Sequence, residues 1–297
     1  MEVTWLPDVE RRPRRVAVGD FDGVHLGHRE VIRGADTVLT FEPHPREVIS
    51  PRGAPRLLTS LERKAELLED LGVSELVVVA FDRAFAHRSA EDFVTGVLVE
   101  ALEATHVSVG ENFRFGHQAK GTPELLAADP RFTTRIVPLV EAEDEIVSSS
   151  HIRGLILAGE VAEAATLLGD PLQLRGTVVH GDERGRTLGY PTANLVPDER
   201  YVYPAHGVYA ARAEVPDRGA WTAAVNVGVR PTFVTGRGVL VEAYLLDFQG
   251  DLYGSELRLE FLARLRGERR FETVEALVEQ MGRDVEDTRR AATLDRP

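Results

Sequence analysis

The first half of the chain alternates two hydrophobic rhythms. "ELVVVAF" (Glu75–Phe81) is a continuous apolar run of the kind buried on both faces of a parallel sheet. "RRVAVGDF" (Arg14–Phe21) and "TVLTFE" (Thr37–Glu42) also read as strands, as do "HVSVGENF" (His106–Phe113) and "RFTTRIVPLV" (Arg131–Val140). Between them lie helical periods. "LERKAELLEDLG" sets Leu61, Ala65, Leu68 and Leu71 on one stripe and stops at Gly72. "SAEDFVTGVLVEALEA" opens with a Ser89-x-x-Asp92 capping pattern. "TPELLAAD" is a short helix, and "SSSHIRGLILAG" and "EVAEAATLLG" are two more, split at Gly159. This alternation predicts a doubly wound parallel α/β sheet.

After Leu168-Gly169-Asp170-Pro171 the rhythm changes. "LQLRGTVVHG", "GVYAARAEV", "WTAAVNVGV", "LVEAYLLDF" and "ELRLEFLARL" are strand-like runs separated by turn residues. Only "TVEALVEQMGRDVEDTRRAA" near the end has helical length. The second half therefore predicts an antiparallel β-barrel closed by a terminal helix. The boundary falls at 170–172, giving an N-terminal domain over 1–170 and a C-terminal domain over 171–297.

Bulk composition narrows the function classes. The chain has 297 residues, no cysteine and a net charge of −13. The absence of cysteine excludes disulfides, Cys-ligated zinc and thiol catalysis. Residues 1–170 hold 29 acids and 18 bases, and residues 171–297 hold 19 and 17, so neither half has the charge of a nucleic-acid binder. No apolar run is long enough for a membrane helix, and the N-terminus lacks a signal-peptide pattern. The expectation is a cytoplasmic enzyme of small molecules, with no nucleic-acid or membrane partner and with a homo-oligomer left open.

Ligands of an open parallel sheet bind beyond the carboxyl ends of its strands. The unusual residues of the first half gather there. Gly19-Asp20-Phe21-Asp22-Gly23 follows the first strand and Phe41-Glu42-Pro43-His44-Pro45 the second. Gly110-Glu111-Asn112-Phe113-Arg114-Phe115-Gly116 follows the strand at His106, and Ser148-Ser149-Ser150-His151-Ile152-Arg153 follows the last. His25 and His28 sit on a first helical turn, where imidazoles and free N–H groups can meet phosphates. Blander readings of the same residues stand beside this one. H-x-x-H suits a structural turn or, less well, zinc; Asp20 and Asp22 suit turn formers; the serine run suits an N-cap.

In the second half, "GTVVHGDERGRTLGYPTANL" (Gly176–Leu195) can present backbone N–H groups to phosphates at Gly181, Gly185 and Gly189. A hairpin with a long turn explains the glycines equally. It is not a Walker A loop. Thr192 and Asn194 offer hard oxygens suited to Mg²⁺. Glu242 interrupts the apolar strand "LVEAYLLDF"; facing inward it would be a buried base, facing outward an ordinary solvated residue.

Taken together, "VGDFDGVHLGH", "TFEPHP", "VGENFRFG" and "SSSHIR" resemble the adenylyltransferase half of the bacterial bifunctional riboflavin kinase/FAD synthetase family. "GRTLGYPTAN", "HGVYAA", "NVGVRPTF", "VEAYLLDF" and "DLYG" resemble its flavokinase module. The resemblance implies ATP-dependent phosphorylation of riboflavin to FMN, then adenylylation of FMN to FAD with release of pyrophosphate, with Mg²⁺ required. It implies that Gly19, Phe21, Asp22, His25, His28, Ser149, Ser150 and Arg153 contact ATP in the first site, His25 and His28 catalytically. His44, Pro45 and Asn112 would meet the flavin nucleotide there. In the kinase it implies Gly181, Gly185, Gly189, Pro191, Thr192 and Asn194 for ATP, Thr192 and Asn194 for the metal, Glu242 as catalytic base, and Arg266 and Phe271 bordering the flavin. Two rival readings are a monofunctional flavokinase with a degenerate first domain and a flavin carrier without turnover. The first draws on the short stretch, Arg29 to Asp36, between His28 and the next strand. Family members usually carry a longer helix and loop there.

Overall fold

The structure is a computed structural model that describes residues 1–142, 145–181, 185, 188–230 and 238–294. They form two compact units, Met1–Ser149 and Ser150–Pro297.

The first unit is built on six strands: β1 (Glu2–Trp5), β2 (Arg14–Val18), β3 (Thr37–Glu42), β4 (Glu75–Ala80), β5 (Ala104–Gly110) and β6 (Thr133–Val137). All pairings are parallel, in the order β1-β4-β3-β2-β5-β6. The apolar runs are continuous because alternate residues feed two cores. Val16, Val18, Leu39, Phe41, Val77 and Val79 face one; Ala17, Val38, Leu76 and Val78 face the other. The strand order reverses beside β2, with β3 on one side and β5 on the other. That reversal opens a crevice at the carboxyl ends of β2 and β5.

Helices α1 (Leu26–Ile32), α2 (Pro45–Ile49) and α3 (Leu61–Asp70) follow β2 and β3. The short stretch after His28 is enough. Seven residues of α1 and a turn at Gly34 (φ +80°) return the chain to a β3 paired in register with β2, Val16 against Thr37. The segment expected as one helix from Ser89 begins as a capped turn, Ala90–Asp92. It then widens to a π-helix over Phe93–Ala101, whose Phe93, Val94, Val97 and Leu98 are buried. The strand expected over His106–Phe113 ends at Gly110, and the one over Arg131–Val140 spans only Thr133–Val137. Edge strand β1 was not anticipated.

The second unit opens with two helices, Ser149–Ala158, whose first residue closes the first unit, and Val161–Leu168, separated at Gly159 (φ +90°). A closed antiparallel barrel follows, in the order β10-β13-β12-β11-β14-β9. After the short antiparallel pair β7 (Glu141–Ala142) and β8 (Glu145–Ile146) that ends the first unit, the barrel strands are β9 (Leu172–Val179), β10 (Ala193–Leu195), β11 (Gly207–Val215), β12 (Gly219–Arg230), β13 (Gly238–Leu245) and β14 (Glu256–Arg266). Inward positions are apolar and tightly buried: Ala223, Val225, Val227, Val241, Ala243, Leu257, Leu259 and Phe261. The C-terminal helix, Val274–Leu294, packs on β11, β12 and β14. Arg266 holds it through a two-pronged pair with Asp284, Nε to Oδ1 at 2.9 Å and Nη2 to Oδ2 at 2.6 Å.

Candidate functional sites

The turn after β2 is a strained, clamped structure. Phe21 (φ +51°) and Val24 (φ +43°) occupy left-handed backbone that side chains rarely adopt, and both are buried. Such strain persists only where neighbours enforce it. Here Asp22 does so. It is 4% exposed, and its Oδ1 accepts from the backbone N–H of Leu58 (2.8 Å) and Thr59 (3.1 Å). Thr59 Oγ1 accepts from the Gly23 N–H at 3.1 Å. Asp22 thus ties the turn to the segment entering α3.

The turn delivers the two histidines. His25 caps α1, and its Nδ1 accepts the His28 backbone N–H at 3.3 Å. A ring whose Nδ1 accepts carries its neutral-form proton on Nε2 and presents a donor there. The two imidazoles stack with centroids 3.6 Å apart, and Phe21 meets His28 edge-on at 5.3 Å. Gly27 makes room for this stack: a Cβ there would lie 3.2 Å from His25 Cε1. Ser149 Oγ, at the end of the same unit, donates to the Asp22 carbonyl at 3.0 Å.

Beneath the turn lies a group the sequence reading missed. Lys64 on α3 is 6% exposed, and its Nζ donates to the Asp20 carbonyl (2.6 Å) and Thr40 Oγ1 (3.1 Å). Burial pulls its pKa down, against the opposing influence of Asp22, Asp20 and Glu42. Burial pushes the Asp20 carboxyl up, while His44 and Lys64 pull it back. His44 caps α2, and its Nδ1 accepts the Arg46 N–H at 3.1 Å; its Nε2 stands 3.8 Å from Asp20 Oδ2. Pro45 is the first residue of α2. Across the crevice, Asn112 is exposed beyond β5, with its Oδ1 3.2 Å from where a Cβ on Gly110 would lie. Phe113 and Phe115 stack behind it at 5.6 Å.

The second constellation lies on the outside of the barrel. Val241, Ala243 and Leu245 point inward, so Glu242 and Tyr244 point outward. The inward alternative for Glu242 is therefore not realised, because strand alternation fixes its face. It is half-buried rather than freely solvated. Register places it between Asn194 on β10 and Asn226 on β12. Asn226 Nδ2 donates to Glu242 Oε2 at 3.3 Å.

Asn194 is 7% exposed, and Gly181 presses against it so closely that a Cβ there would lie 2.3 Å from its Nδ2. Gly185 accepts from the Tyr190 N–H at 2.8 Å, and a Cβ on it would reach Thr192 Oγ1 at 3.4 Å. Gly189 (φ +87°) precedes Tyr190, Pro191 and Thr192. The glycines therefore leave a cradle around Thr192 and Asn194. Hydroxyl and amide oxygens in such a cradle suit a hard dication. Arg266 is engaged by Asp284, with its guanidinium carbon 5.9 Å from the Phe271 ring. Residues 182–184, 186–187 and the "RPTF" residues 231–233 lie outside the described residues.

Comparison with known proteins matches both halves of the chain. An FAD synthetase family model matches residues 8–151, and a riboflavin kinase model matches residues 168–292. A bifunctional riboflavin kinase/FMN adenylyltransferase from Listeria monocytogenes is 40% identical over 287 residues, 92% of this chain and 91% of the relative. The protein of the same description from Bacillus subtilis is 37% identical, covering 92% and 90%. A crystal structure from Streptococcus pneumoniae, described as a macrolide-efflux protein, aligns with a TM-score of 0.89 and 36% identity, over 97% of this chain and 99% of that one. Among the described residues here, no helix is long and apolar enough to cross a membrane.

Proposed function

The chain belongs to the family of bifunctional riboflavin kinase/FMN adenylyltransferases, and from that membership we propose how its two sites divide the chemistry. It phosphorylates riboflavin to FMN with ATP and then adenylylates FMN to FAD, releasing pyrophosphate. Residues 171–297 carry the kinase and residues 1–170 the adenylyltransferase. The monofunctional alternative is not favoured, since both family models match and the short α1 still completes the β2–β3 crossover.

The observation that carries this reading is the contrast between the two constellations. In the kinase, the riboflavin 5′-hydroxyl attacks the γ-phosphorus of ATP and must lose a proton. Glu242 is the carboxylate that takes it. Thr192 and Asn194 would hold Mg²⁺ with the ATP oxygens, and the ion supplies charge neutralisation there. Gly181, Gly185, Gly189 and Pro191 shape the phosphate loop, and the Arg266 stem with Phe271 borders the flavin.

In the adenylyltransferase the nucleophile is the FMN phosphate, already ionised near neutral pH, so no strong base is needed. Its oxygen bonds to the α-phosphorus of ATP as the bond to pyrophosphate breaks. His25 and His28 stabilise the charge that builds on the phosphates. Gly19, Phe21 and Asp22 form the turn that aims them, and Ser149, Ser150 and Arg153 complete the phosphate contacts. His44, Pro45 and Asn112 receive the flavin nucleotide. Both reactions consume ATP and yield a soluble cofactor, which supports a cytoplasmic enzyme.

The test incubates protein with riboflavin, ATP and Mg²⁺ and resolves FMN and FAD by chromatography. Both products are expected, and FMN without FAD overturns the bifunctional reading. His28→Ala should stop FAD formation and spare FMN formation. Glu242→Gln should stop FMN formation and spare FAD formation from supplied FMN.

A further inference from the structure

A strand needs no amide at position 226. Its neighbours Val225 and Val227 are fully buried in the barrel, and asparagine is a poor strand former. Yet Asn226 points outward, directly opposite Glu242, and donates to its Oε2 at 3.3 Å. On the other side of Glu242, register places Asn194. The carboxylate therefore stands in a row of three polar side chains, with an amide on each flanking strand. The row is also crowded from beyond Asn226. Gly228, two residues along β12, leaves space in which a Cβ would sit 2.9 Å from Glu268 Oε1 and 3.7 Å from Asn226 Nδ2.

We propose that Asn226 is a positioning residue of the kinase, holding the Glu242 carboxylate in the plane from which it takes the riboflavin hydroxyl proton. This rests on the assignment of Glu242 as the base. The two flanking amides have different tasks. Asn194 belongs to the nucleotide and metal, whereas Asn226 belongs to the base. A carboxylate oxygen can only accept, so the Asn226 group facing it is the NH₂ and not the carbonyl. That bond fixes Oε2 and with it the rotation of the carboxylate, leaving Oε1 to receive the proton. A freely rotating glutamate would meet the hydroxyl correctly only part of the time. Positioning of this kind acts on turnover rather than on substrate affinity.

The donor requirement separates positioning from space filling. Asn226→Asp keeps the shape but replaces the donor with a second carboxylate directly opposite Glu242, where like charges repel. Asn226→Ala removes the donor alone. The experiment measures kinase kcat and KM for riboflavin and MgATP in full-length wild type, both variants, Glu242→Gln, and the double variant Asn226→Ala/Glu242→Gln. FAD formation from supplied FMN and a far-UV spectrum check that the chain is folded. The expectation is a kcat about tenfold lower in Asn226→Ala and about a hundredfold lower in Asn226→Asp, with KM values within about threefold of wild type. In the Glu242→Gln background the alanine substitution should make no further difference to the residual rate. An Asn226→Asp enzyme with wild-type kcat overturns the proposal, as does a double variant slowed by the same factor as Asn226→Ala alone. If Glu242→Gln itself turns over at the wild-type rate, the base assignment falls and this proposal falls with it. Should Asn226→Ala fail to fold, the isosteric Asn226→Asp decides the matter.

Discussion

Replacing Glu75 with glutamine should separate the fates of the two activities. Glu75 opens β4, Arg14 opens β2 and Thr37 opens β3, all at the amino ends of the strands. Arg14 is 1% exposed and Glu75 3%. The guanidinium grips the carboxylate twice, Nε to Oε2 at 2.7 Å and Nη2 to Oε1 at 2.9 Å. Arg12 Nη2 (2.7 Å) and Thr37 Oγ1 (3.1 Å) add two further donors to Oε2. Glutamine keeps the shape and one acceptor oxygen but removes the charge, so Arg14 stays buried without a counter-ion. Breaking a buried pair from one side costs about 3–5 kcal/mol. The retained acceptor argues for the lower end. With a urea slope of about 2 kcal/mol per molar, a loss of about 3 kcal/mol lowers the midpoint of the first unit by about 1.5 M. The chain's two tryptophans report the units separately, since Trp5 lies on β1 and Trp221 on β12. In a Trp221→Phe background, Trp5 fluorescence should show the shift. FAD formation should fail at lower urea while FMN formation keeps its wild-type profile. A midpoint within about 0.3 M of the parent, or equal loss of both activities, refutes the reasoning; the first is far smaller than the slope and the pair allow.

The same pair sets an acid limit. Burial alone would raise the Glu75 carboxyl, but the hydrogen bond and charge of Arg14, with Arg12 and Thr37, outweigh it and hold the pKa below the ordinary range. Its contribution is therefore complete above the unfolded-state value of about 4.3 and is lost as pH falls below it and through the folded value; urea midpoints of the first unit should fall more steeply in wild type than in Glu75→Gln between about pH 5 and pH 3, and in parallel between about pH 7 and pH 5. Lys64→Met should lower kcat/KM for FAD formation by about ten- to a hundredfold through a displaced histidine turn, with FMN formation unchanged, as product chromatography would show. Gly181→Ala should push Asn194 from its place and raise the Mg²⁺ concentration needed for half-maximal kinase rate, leaving FAD formation from FMN untouched.

Where a pattern depends on neighbours in sequence, it was legible. "TVLTFE" is strand β3 residue for residue, and "ELVVVAF" misses β4 by one position. What failed depends on partners distant in sequence. Strand β1 is four residues long, mostly exposed and paired on one side only, so its alternation is too brief to register. Alternation along its own strand groups Glu242 with Tyr244, but closure of the barrel around Val241, Ala243 and Leu245 decides that this face turns outward. The pattern cannot distinguish an α- from a π-helix when both bury the same apolar residues, as over Phe93–Ala101. Lys64 left a trace that went unread. It lies three residues after Leu61 and four before Leu68, on the apolar stripe, where a lysine is exceptional. Asn226 left the same kind of trace, a polar residue inside "AAVNVGV".

Strand β10 has a consequence of its own. It is three residues long, pairs with β13 at three positions and with β9 at two, and is the stave that closes the barrel. A ring of hydrogen bonds is weakest where it has fewest, so among the described strands of the barrel the weakest seam is the stave that holds Asn194. In the proposed kinase site, a nucleotide and cation held by Asn194 would bind the closed ring and not the parted one, so each molecule bound would also seal the seam. At a hundredfold excess over its dissociation constant, such a ligand adds about 2.7 kcal/mol against opening. That site would couple substrate binding to the integrity of the kinase half, so MgATP should slow cleavage of the barrel by an added protease.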